Sequence, residues 1–336
     1  MTETGTPTGR AAALDRLSGG RFIVTGRAGM DLYADPPGTR IEEAAAFTAA
    51  LGGSSANIAV ALVRQGCRAD LLTCVSDDAV GRFCLAALDR YGVGRAQVRA
   101  VGGEARNSLA VVETRPTACQ SVIYRNGAAD FAMTIADVEA VDWATHDALI
   151  TTGTVFAAEP SRSAAFHALD LARAAGLALI LDIDYRPYSW SSAAEAAQVY
   201  ARAGALCDII VGNDVEFGFM AGDPAHGLAK ARDLVTRGAQ AVVYKQGELG
   251  AITLSPAGEV ATGIYPTDAI KPTGAGDSFL GAFAAALAQG RALHDAVLRG
   301  SAAAAMVVSR VGCAPAMPTA AELDAFLATH PGPTQP

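Results

Sequence analysis

Short runs of apolar residues alternate along the chain with longer stretches in which apolar positions recur with a helical period. The apolar runs predict strands over residues 21–26, 69–75, 147–153, 177–182, 208–212 and 241–245. The helical stretches span residues 55–65, 80–91, 161–175, 193–205, 228–237, 277–289, 293–310 and 320–329. Because these strands have almost no polar positions, both of their faces are expected to be covered by helices. The pattern therefore predicts an α/β fold with a mostly parallel central sheet and right-handed crossovers.

Two stretches interrupt this alternation, near residues 32–51 and 104–133. The second contains two alternating runs, 108–113 and 121–125, which predict a small antiparallel β sheet inserted into the α/β layer. We expect this sheet to act as a lid over a site, the alternative being an edge sheet without function. The α/β domain is expected to span residues 21–330, with flexible tails at residues 1–20 and 331–336.

Composition limits the classes of function. The 336 residues are 51% hydrophobic and carry a formal net charge of −8 without a run of Lys or Arg, which argues against nucleic acid as a partner. No apolar run approaches the length of a membrane span, and the polar N-terminal segment lacks the apolar core of a signal peptide. The six cysteines have no Cys-x-x-Cys spacing, so we expect free thiols in the cytoplasm and no zinc site.

The segment at residues 271–279, Lys-Pro-Thr-Gly-Ala-Gly-Asp-Ser-Phe, has the strongest chemical signal. Gly274, Ala275 and Gly276 allow a tight turn, and an apolar helix follows at once. A helix N-terminus attracts anions such as phosphate. The negative charge of the Asp277 carboxylate at the same place would instead repel a phosphate. The conflict disappears if Asp277 accepts a proton from a hydroxyl while backbone N–H groups hold a phosphoryl group in transfer. The alternative is an aspartate that only caps the helix.

Two polar segments in the first part of the chain are candidates for holding a sugar. In the run Leu-Gly-Gly-Ser-Ser-Ala-Asn at residues 51–57, Gly52 and Gly53 permit close approach of a ligand, and Asn57 offers donors and acceptors. Asp31 follows the first strand, where a carboxylate can bind a diol. The alternatives are an ordinary helix start and a surface turn.

Charged residues also follow two later strands. Asp182 and Arg186 come at the end of the strand at residues 177–182, where they would organise a metal–phosphate site or take part in a self-contained Asp–Arg ion pair. Asn213 and Glu216 come after the next strand and would bind Mg²⁺ through water, or only cap a helix.

A further glycine-rich turn contains Lys245, Gly247 and Gly250, which would contact nucleotide phosphates or only form a hairpin. The chain lacks a Gly-x-x-x-x-Gly-Lys-Ser/Thr loop, a His-Glu-x-x-His pair and a Gly-x-Ser-x-Gly turn. The dinucleotide-binding fingerprint is also incomplete, because Phe279 stands where its third glycine would be. A dinucleotide-dependent oxidoreductase is therefore a weak alternative.

Taken in this order, the segments at residues 52–57 and 274–279 resemble the two signatures of the ribokinase-like (PfkB) carbohydrate kinases, over roughly residues 21–328. The resemblance implies a three-layer ribokinase-like fold and ATP-dependent phosphorylation of a sugar hydroxyl with Mg²⁺. The resemblance implies that Asp277 is the base and that the anion hole is formed by Gly274, Ala275 and Gly276. The sugar would be bound by Asp31, Gly52, Gly53 and Asn57, and Mg²⁺ by Asp182 and, through water, by Glu216. The nucleotide would lie beside Asn213, Lys245, Gly247, Gly250 and Lys271.

Residues 182–188, Asp-Ile-Asp-Tyr-Arg-Pro-Tyr, and Lys271 resemble the branch of this family that acts on 5-dehydro-2-deoxy-D-gluconate in myo-inositol breakdown. This sugar acid carries a carboxylate, for which the implied ligands are Arg27, Arg125 and Arg186, with Arg125 preferred. Most family members have Asp in place of Lys271, beside a monovalent-cation site. Lys271 is therefore expected to replace that cation, unless its side chain reaches solvent.

Two other functions stay open at this point. One is a different sugar kinase, acting on 2-keto-3-deoxygluconate or fructose, against which Lys271 and residues 182–188 argue. The other is a non-catalytic regulator that binds sugar or nucleotide, against which the intact Asp277 and its preceding glycines argue. Exposed strands of the inserted sheet would allow a homodimer through the lid.

Overall fold

The computed structural model describes residues 13–330 and 332–333. The strands are β1 (Arg21–Thr25), β2 (Gly29–Asp35), β3 (Ala46–Gly52), β4 (Arg68–Ser76), β5 (Val98–Val101), β6 (Ser108–Val112), β7 (Ser121–Tyr124), β8 (Ala148–Thr152), β9 (Ala178–Asp182), β10 (Ile209–Asn213), β11 (Ala241–Lys245), β12 (Ala251–Ser255) and β13 (Gly258–Thr262). The α-helices are α1 (Ala13–Arg16), α2 (Ser54–Arg64), α3 (Ala79–Tyr91), α4 (Ile135–Glu139), α5 (Ser161–Ala174), α6 (Ala193–Leu206), α7 (Asp214–Ala221), α8 (Gly227–Thr236), α9 (Ala275–Ala288), α10 (Leu293–Val308) and α11 (Ala320–Thr329).

The larger sheet has nine strands in the order β13-β12-β11-β10-β9-β8-β1-β4-β5. From β11 to β5 all neighbours are parallel, whereas β12 and β13 extend the sheet by antiparallel pairing. Alternate residues face two helical layers: Phe22 and Val24 pack with α2, α9 and α10, and Ile23 packs with α4 to α8. This confirms the predicted three-layer α/β fold. The predicted strands and helices lie within two residues of the observed ones.

A second sheet of four strands, in the order β3-β2-β6-β7, comes from the two stretches that interrupt the α/β alternation. The pairs β2–β3 and β6–β7 are antiparallel, and the central pair β2–β6 is parallel. Its inner face carries Tyr33, Ala50, Ala110 and Val112, which pack in one apolar cluster with Cys313. This small sheet therefore contacts the segment that follows α10.

The N-terminal part of the described chain differs from the predicted tail over residues 1–20. Residues 13–19 are helical, and Ala13 and Leu17 are fully buried in the core. These two apolar positions are four residues apart, so they share one face of a helix and pack together. The rest of that tail, residues 1–12, and residues 331 and 334–336 of the predicted C-terminal tail lie outside the described residues.

Helix α7 and strands β5, β12 and β13 are also additional to the predicted elements, although residues 251–255 were an alternative for a hairpin strand. α7 starts directly at the end of β10 with a capping box, in which Asn213 and Glu216 each accept a hydrogen bond from the other's backbone N–H. The helix is only eight residues long, and all but two of its residues are apolar or glycine, so it has no clear amphipathic period.

All six cysteines carry free thiols, as expected from their spacing, and four of them are buried. Among the described residues, no helix combines the length and the hydrophobicity needed to cross a membrane.

Candidate active site

A cleft of about 1030 Å³ lies where the carboxyl ends of the parallel strands meet the small sheet. Its polar lining includes Arg27, Asp31, Gly53, Asn57, Asp182, Asp184, Arg186, Asn213, Glu216, Lys245, Gly247, Gly250 and the turn from Gly274 to Asp277. The carboxyl ends of parallel strands share one edge of a sheet, which is why residues far apart in sequence meet here. Of the predicted site residues, only Gly52, Arg125 and Lys271 do not line this cleft.

The turn before α9 leaves several backbone N–H groups without acceptors. Gly274 has φ = 85°, and a Cβ atom there would lie 3.0 Å from Cys313 Sγ, so both the conformation and the space require glycine. The first helical hydrogen bond runs from Ser278 N to Gly274 O, 3.0 Å. In the described part of the chain, the N–H groups of Ala275, Gly276 and Asp277 have no acceptor. N–H groups without acceptors at a helix N-terminus can bind an anion, so the start of α9 is a candidate anion site.

Asp277 does not cap its helix. It lies in the first turn of α9, whose N-terminus has no side-chain cap, and its Oδ2 accepts a hydrogen bond from Asn57 Nδ2 at 2.8 Å. Burial, reinforced by repulsion from Asp184, raises the pKa of Asp277 to about 6, although Asn57, Arg186 and Arg27 act in the opposite direction. The carboxylate therefore faces the cleft as a base that is stronger than an ordinary aspartate.

Asp31 lines the cleft from strand β2 of the small sheet. It is 8% exposed, and Tyr33 Oη donates a hydrogen bond to its Oδ2 at 3.1 Å. A Cβ atom on Gly52 would lie 2.0 Å from Asp31 Oδ1, so this glycine makes room for the carboxylate without lining the cleft itself. Burial raises the pKa of Asp31, and the positive charges of Arg27 and Lys271 partly oppose this.

An ion pair between a buried carboxylate and a partly exposed arginine follows β9. Arg186 Nη2 lies 2.6 Å from Asp184 Oδ1, so the Asp–Arg pair anticipated in this segment does form, and it involves Asp184. Asp184 has φ = 36°, a left-handed conformation that Asp tolerates better than most residues. Burial raises the pKa of Asp184, but the charges of Arg186 and Arg27 outweigh it and hold this pKa below its usual range.

Asp182 and Glu216 form the acidic wall beside this pair. Burial raises the pKa of both carboxyl groups, and the charge of Lys245 opposes the shift in each case. Two buried carboxylates of this kind fit a divalent cation, because its charge would offset their desolvation and oxygen is its preferred ligand atom. Within the described residues, no group of three or more His, Cys, Asp or Glu side chains has metal-binding geometry. A bound Mg²⁺ would therefore keep water or phosphate ligands.

Lys271 lies beneath the turn before α9. Its side chain is 1% exposed, and Nζ donates hydrogen bonds to Thr273 O at 2.6 Å and Val307 O at 3.0 Å. The alternative that this side chain reaches solvent is thus excluded. Burial lowers the pKa of Lys271, whereas Cys313, Asp277 and Asp31 have the opposite effect. Two backbone carbonyls around an ammonium resemble the oxygen ligands of a monovalent cation.

Of the three arginines predicted for a substrate carboxylate, Arg186 is paired with Asp184, and the other two have different surroundings. Arg125 forms a buried ion pair with Asp130, donates to Thr154 O at 3.0 Å and stacks 4.0 Å from the centre of the Phe131 ring. It lines a separate cavity of about 170 Å³. Arg27 lines the main cleft, and its Nε has no hydrogen-bond partner among the described residues. The structure thus brings Arg27 to the site and keeps Arg125 outside it.

Several lining residues carry no motif that sequence reasoning could have used. Small and apolar residues of α10 also line the cleft, namely Val297, Ser301, Ala304, Ala305 and Val308. Residues 262–267, from the end of β13 onward, line the cleft as well. Tyr33 could have been anticipated, because it lies two residues after Asp31 in a strand and so shares its face.

The fold agrees with the comparisons to known proteins. The chain belongs to the pfkB family of carbohydrate kinases, whose family model matches residues 21–320. A 5-dehydro-2-deoxygluconokinase from Photobacterium profundum is 38% identical over 313 residues, which cover 92% of this chain and 95% of that protein.

Two solved structures are also similar. The PfkB protein from Polaromonas sp. JS666 is 28% identical, with a TM-score of 0.78 and coverage of 91% of this chain and 99% of that one. A double-mutant fructokinase from Vibrio cholerae O395, in a form with fructose, ADP and potassium ion bound, is 25% identical with a TM-score of 0.80, covering 92% and 99%. This chain is therefore a sugar kinase.

Proposed function

We propose that this kinase transfers the γ-phosphoryl group of ATP to the primary hydroxyl of 5-dehydro-2-deoxy-D-gluconate, a sugar acid of myo-inositol breakdown. The observation that carries the proposal is the position of Asp277, a carboxylate with a raised pKa beside three N–H groups that have no acceptor in the described chain. The name of the Photobacterium relative supports the choice of sugar acid.

Asp277 would accept the proton of the attacking hydroxyl. Asn57 holds Oδ2 of this carboxylate, which leaves Oδ1 to face the hydroxyl. The N–H groups of Ala275, Gly276 and Asp277 would stabilise the charge on the phosphoryl oxygens, and one such donor typically contributes about 3 kcal/mol. Phosphoryl transfer has a loose transition state, so these positioned groups supply most of the catalysis.

The sugar acid would lie between Asp31 and Asp277. Asp31 accepts hydrogen bonds from sugar hydroxyls, and Asn57 and the backbone at Gly53 complete this part of the cleft. Arg27 is the cation that pairs with the substrate carboxylate, because Arg186 is already paired with Asp184. This assignment replaces the initial preference for Arg125.

The nucleotide would lie on the other side of Asp277. Lys245, Gly247 and Gly250 would border its phosphates, with Asn213 nearby, and the residues of α10 that line the cleft would receive its base. Glu216, through water, and Asp182 would hold Mg²⁺, which when bound neutralises charge on the phosphates. Closure of the small sheet over the cleft would exclude water from the reaction.

Lys271 would replace a bound monovalent cation beneath the anion-binding turn. Wild-type activity is then expected to be the same in K⁺, in Na⁺ and without either ion. Lys271→Met leaves the carbonyls of Thr273 and Val307 without their donor, so we expect lower thermal stability, by about 1–3 kcal/mol, together with a lower kcat. Assays across a salt series check this, and strong K⁺ activation of the wild-type enzyme would disprove it.

The pH dependence of the reaction should report Asp277. The deprotonated carboxylate is the active form, so kcat/KM is expected to fall as the pH drops below about 6. Asp184→Asn removes a negative neighbour that raises this pKa, and the acid limb should move to lower pH. Asp295→Asn, an exposed change in the first turn of α10, is the control. An acid limb that stays in place in Asp184→Asn contradicts the assignment.

The small sheet would also mediate the formation of a homodimer. Its outer face is apolar and includes Met30, Leu32, Phe47, Leu109, Val111, Val122 and Tyr124, with Phe47 40%, Val122 42% and Tyr124 58% exposed. A second copy of this sheet would cover that face. Light scattering is expected to give twice the chain mass of 34.2 kDa, and Val122→Lys should give a monomer. A wild-type monomer at micromolar concentration would rule the dimer out.

A substrate panel is the decisive experiment. The purified full chain is assayed with ATP and Mg²⁺ on 5-dehydro-2-deoxy-D-gluconate, 2-keto-3-deoxygluconate and fructose, and the phosphorylated carbon is identified by NMR. We expect the highest kcat/KM for the first compound, with phosphate on its primary hydroxyl. A preference for either other sugar would reassign the enzyme within the family. No ATP turnover with any of them would favour a regulator that only binds its ligands.

A further inference from the structure

A buried hydrogen-bond chain runs from Cys313 through Tyr33 to Asp31. Tyr33 Oη lies 3.1 Å from Asp31 Oδ2 and 3.1 Å from Cys313 Sγ. Tyr33 is 2% and Cys313 is 4% exposed, so water does not compete for these contacts. Asp31 and Tyr33 are neighbours on the same face of β2, whereas Cys313 follows α10 in the other part of the molecule.

The direction of the hydrogen bonds among Cys313, Tyr33 and Asp31 follows from which of these groups carry a proton. Burial raises the pKa of Cys313 to about 11 and also raises the pKa of Tyr33, so both groups are protonated. Tyr33 has a single proton, and the carboxylate of Asp31 is the stronger acceptor. The thiol of Cys313 therefore donates to Tyr33 Oη, and Tyr33 donates to Asp31. Donors in series polarise one another and strengthen the last bond.

We propose that Tyr33 and Cys313 are positioning residues that hold the Asp31 carboxylate in the orientation that accepts the sugar hydroxyls. The inference rests on the proposed function, because it takes Asp31 to be a sugar ligand. It adds two residues that do not touch the reacting atoms and that determine the affinity for the sugar. Tyr33 holds Oδ2 of Asp31, which leaves Oδ1 for the substrate.

Cys313 also contacts the anion-binding turn. A Cβ atom on Gly274 would lie 3.0 Å from Cys313 Sγ, so the thiol packs directly against the backbone that precedes the three N–H donors. The same sulfur thus contacts Tyr33 on the small sheet and Gly274 in the turn before α9. Cys313 thus fixes the sugar-binding side of the cleft relative to the phosphoryl-binding side. Phosphoryl transfer requires the two reacting groups to be held in such a fixed relative position.

The pH dependence of sugar binding is the measurement that reports specifically on the hydrogen bonds from Cys313 through Tyr33 to Asp31. The titratable and charged groups that act on Asp31 are Arg27, Tyr33, Lys271, Cys313 and Cys84. The Tyr33 hydrogen bond and the charges of Arg27 and Lys271 favour the carboxylate, and burial opposes it. Without the Tyr33 hydroxyl, protonation of Asp31 should therefore begin at higher pH.

The test compares Tyr33→Phe with the wild-type enzyme, using 5-dehydro-2-deoxy-D-gluconate and MgATP across the acid and neutral pH range. The ring stays in its apolar cluster and only the hydroxyl is lost. We expect KM for the sugar acid to rise about tenfold, the factor for one hydrogen bond to a charged group, while KM for ATP stays unchanged. The pH below which sugar binding weakens should move upward. Tyr244→Phe, a buried tyrosine of β11 outside the cleft, is the matched control.

Cys313 is tested by two substitutions with different chemistry. Cys313→Ser keeps a donor and should restore most of the sugar affinity that Cys313→Ala loses. Equal effects of serine and alanine, or an unchanged KM for the sugar in Tyr33→Phe, would overturn the inference while leaving the kinase assignment intact. Equal rises in KM for sugar and ATP with a lower Tm would indicate a merely structural role and overturn it too. No turnover of the sugar acid by the wild-type enzyme would remove the proposed function, and this inference with it.

Discussion

Asp277→Asn is expected to lower kcat by about 10³-fold or more, because it removes the proposed proton acceptor and nearly preserves the shape of the side chain. The amide cannot take a proton from the hydroxyl, although Asn57 can still bond to its oxygen. The helix N-terminus and its N–H groups stay in place, so ATP binding should change little. Single-turnover assays and calorimetric titration with ATP measure the two quantities separately.

The matched control for this substitution is Asp295→Asn. Asp295 also lies in the first turn of a helix, but it is exposed and outside the cleft. We expect wild-type turnover from this control. Retention of near-wild-type kcat by Asp277→Asn would show that another group, or none, accepts the proton. A parallel loss of ATP affinity would point to a binding role for Asp277 instead.

Arg27→Met is expected to have the second largest effect, a loss of roughly 100-fold in kcat/KM for the sugar acid. A hydrogen-bonded charge pair typically contributes about 1.5–3 kcal/mol, and the methionine keeps much of the volume of the arginine without its charge. The loss should appear mainly as a higher KM for the sugar acid. Any activity on fructose, which has no carboxylate, should fall much less.

Two further variants separate the arginines. Arg82→Met, an exposed change on α3, serves as the control and should behave as wild type. The double variant Arg125→Met/Asp130→Asn removes both charges of the buried pair, so no charge is left unpaired. If this variant selectively loses activity on the sugar acid and Arg27→Met does not, the carboxylate ligand is Arg125, as the sequence first indicated.

Local patterns were enough to predict the layers of the fold. Strands such as β8 to β11 are continuous apolar runs because helices cover both faces, and that composition is visible without a structure. The tight turn before α9 was predictable for a similar reason, since Gly274 and Asp277 are close in sequence and a glycine before an apolar run marks a helix start. The capping box at Asn213 could not be predicted from the sequence, because Asn213 and Glu216 fit a helix cap and a ligand site equally well.

The small sheet was less predictable. Its two segments could be recognised by their alternating runs, but β2 begins at Gly29, directly after β1, where no composition change marks it. The parallel β2–β6 pair joins strands that are far apart in the chain, and pairing of this kind depends on contacts that no local window contains. The same limit applies to the short helical segment with Ala13 and Leu17, because its burial depends on packing against core residues that are distant in sequence.

The amino-acid sequence by itself determined the α/β layers, the family and the place of the carboxylate at the start of α9, because these depend on residues that are neighbours in the chain. Only the tertiary structure decided which charges are paired: Arg186 with Asp184, Arg125 with Asp130, and Lys271 with two backbone carbonyls. It also joined Tyr33 to Cys313, 280 positions away. Lys271 bonds to Val307, and Tyr33 to Cys313, because the fold brings distant segments within hydrogen-bond distance. For Arg186 and Arg125 the partner is close in the chain, but local sequence leaves open whether the arginine pairs with it or faces a ligand, and only the packing decides this.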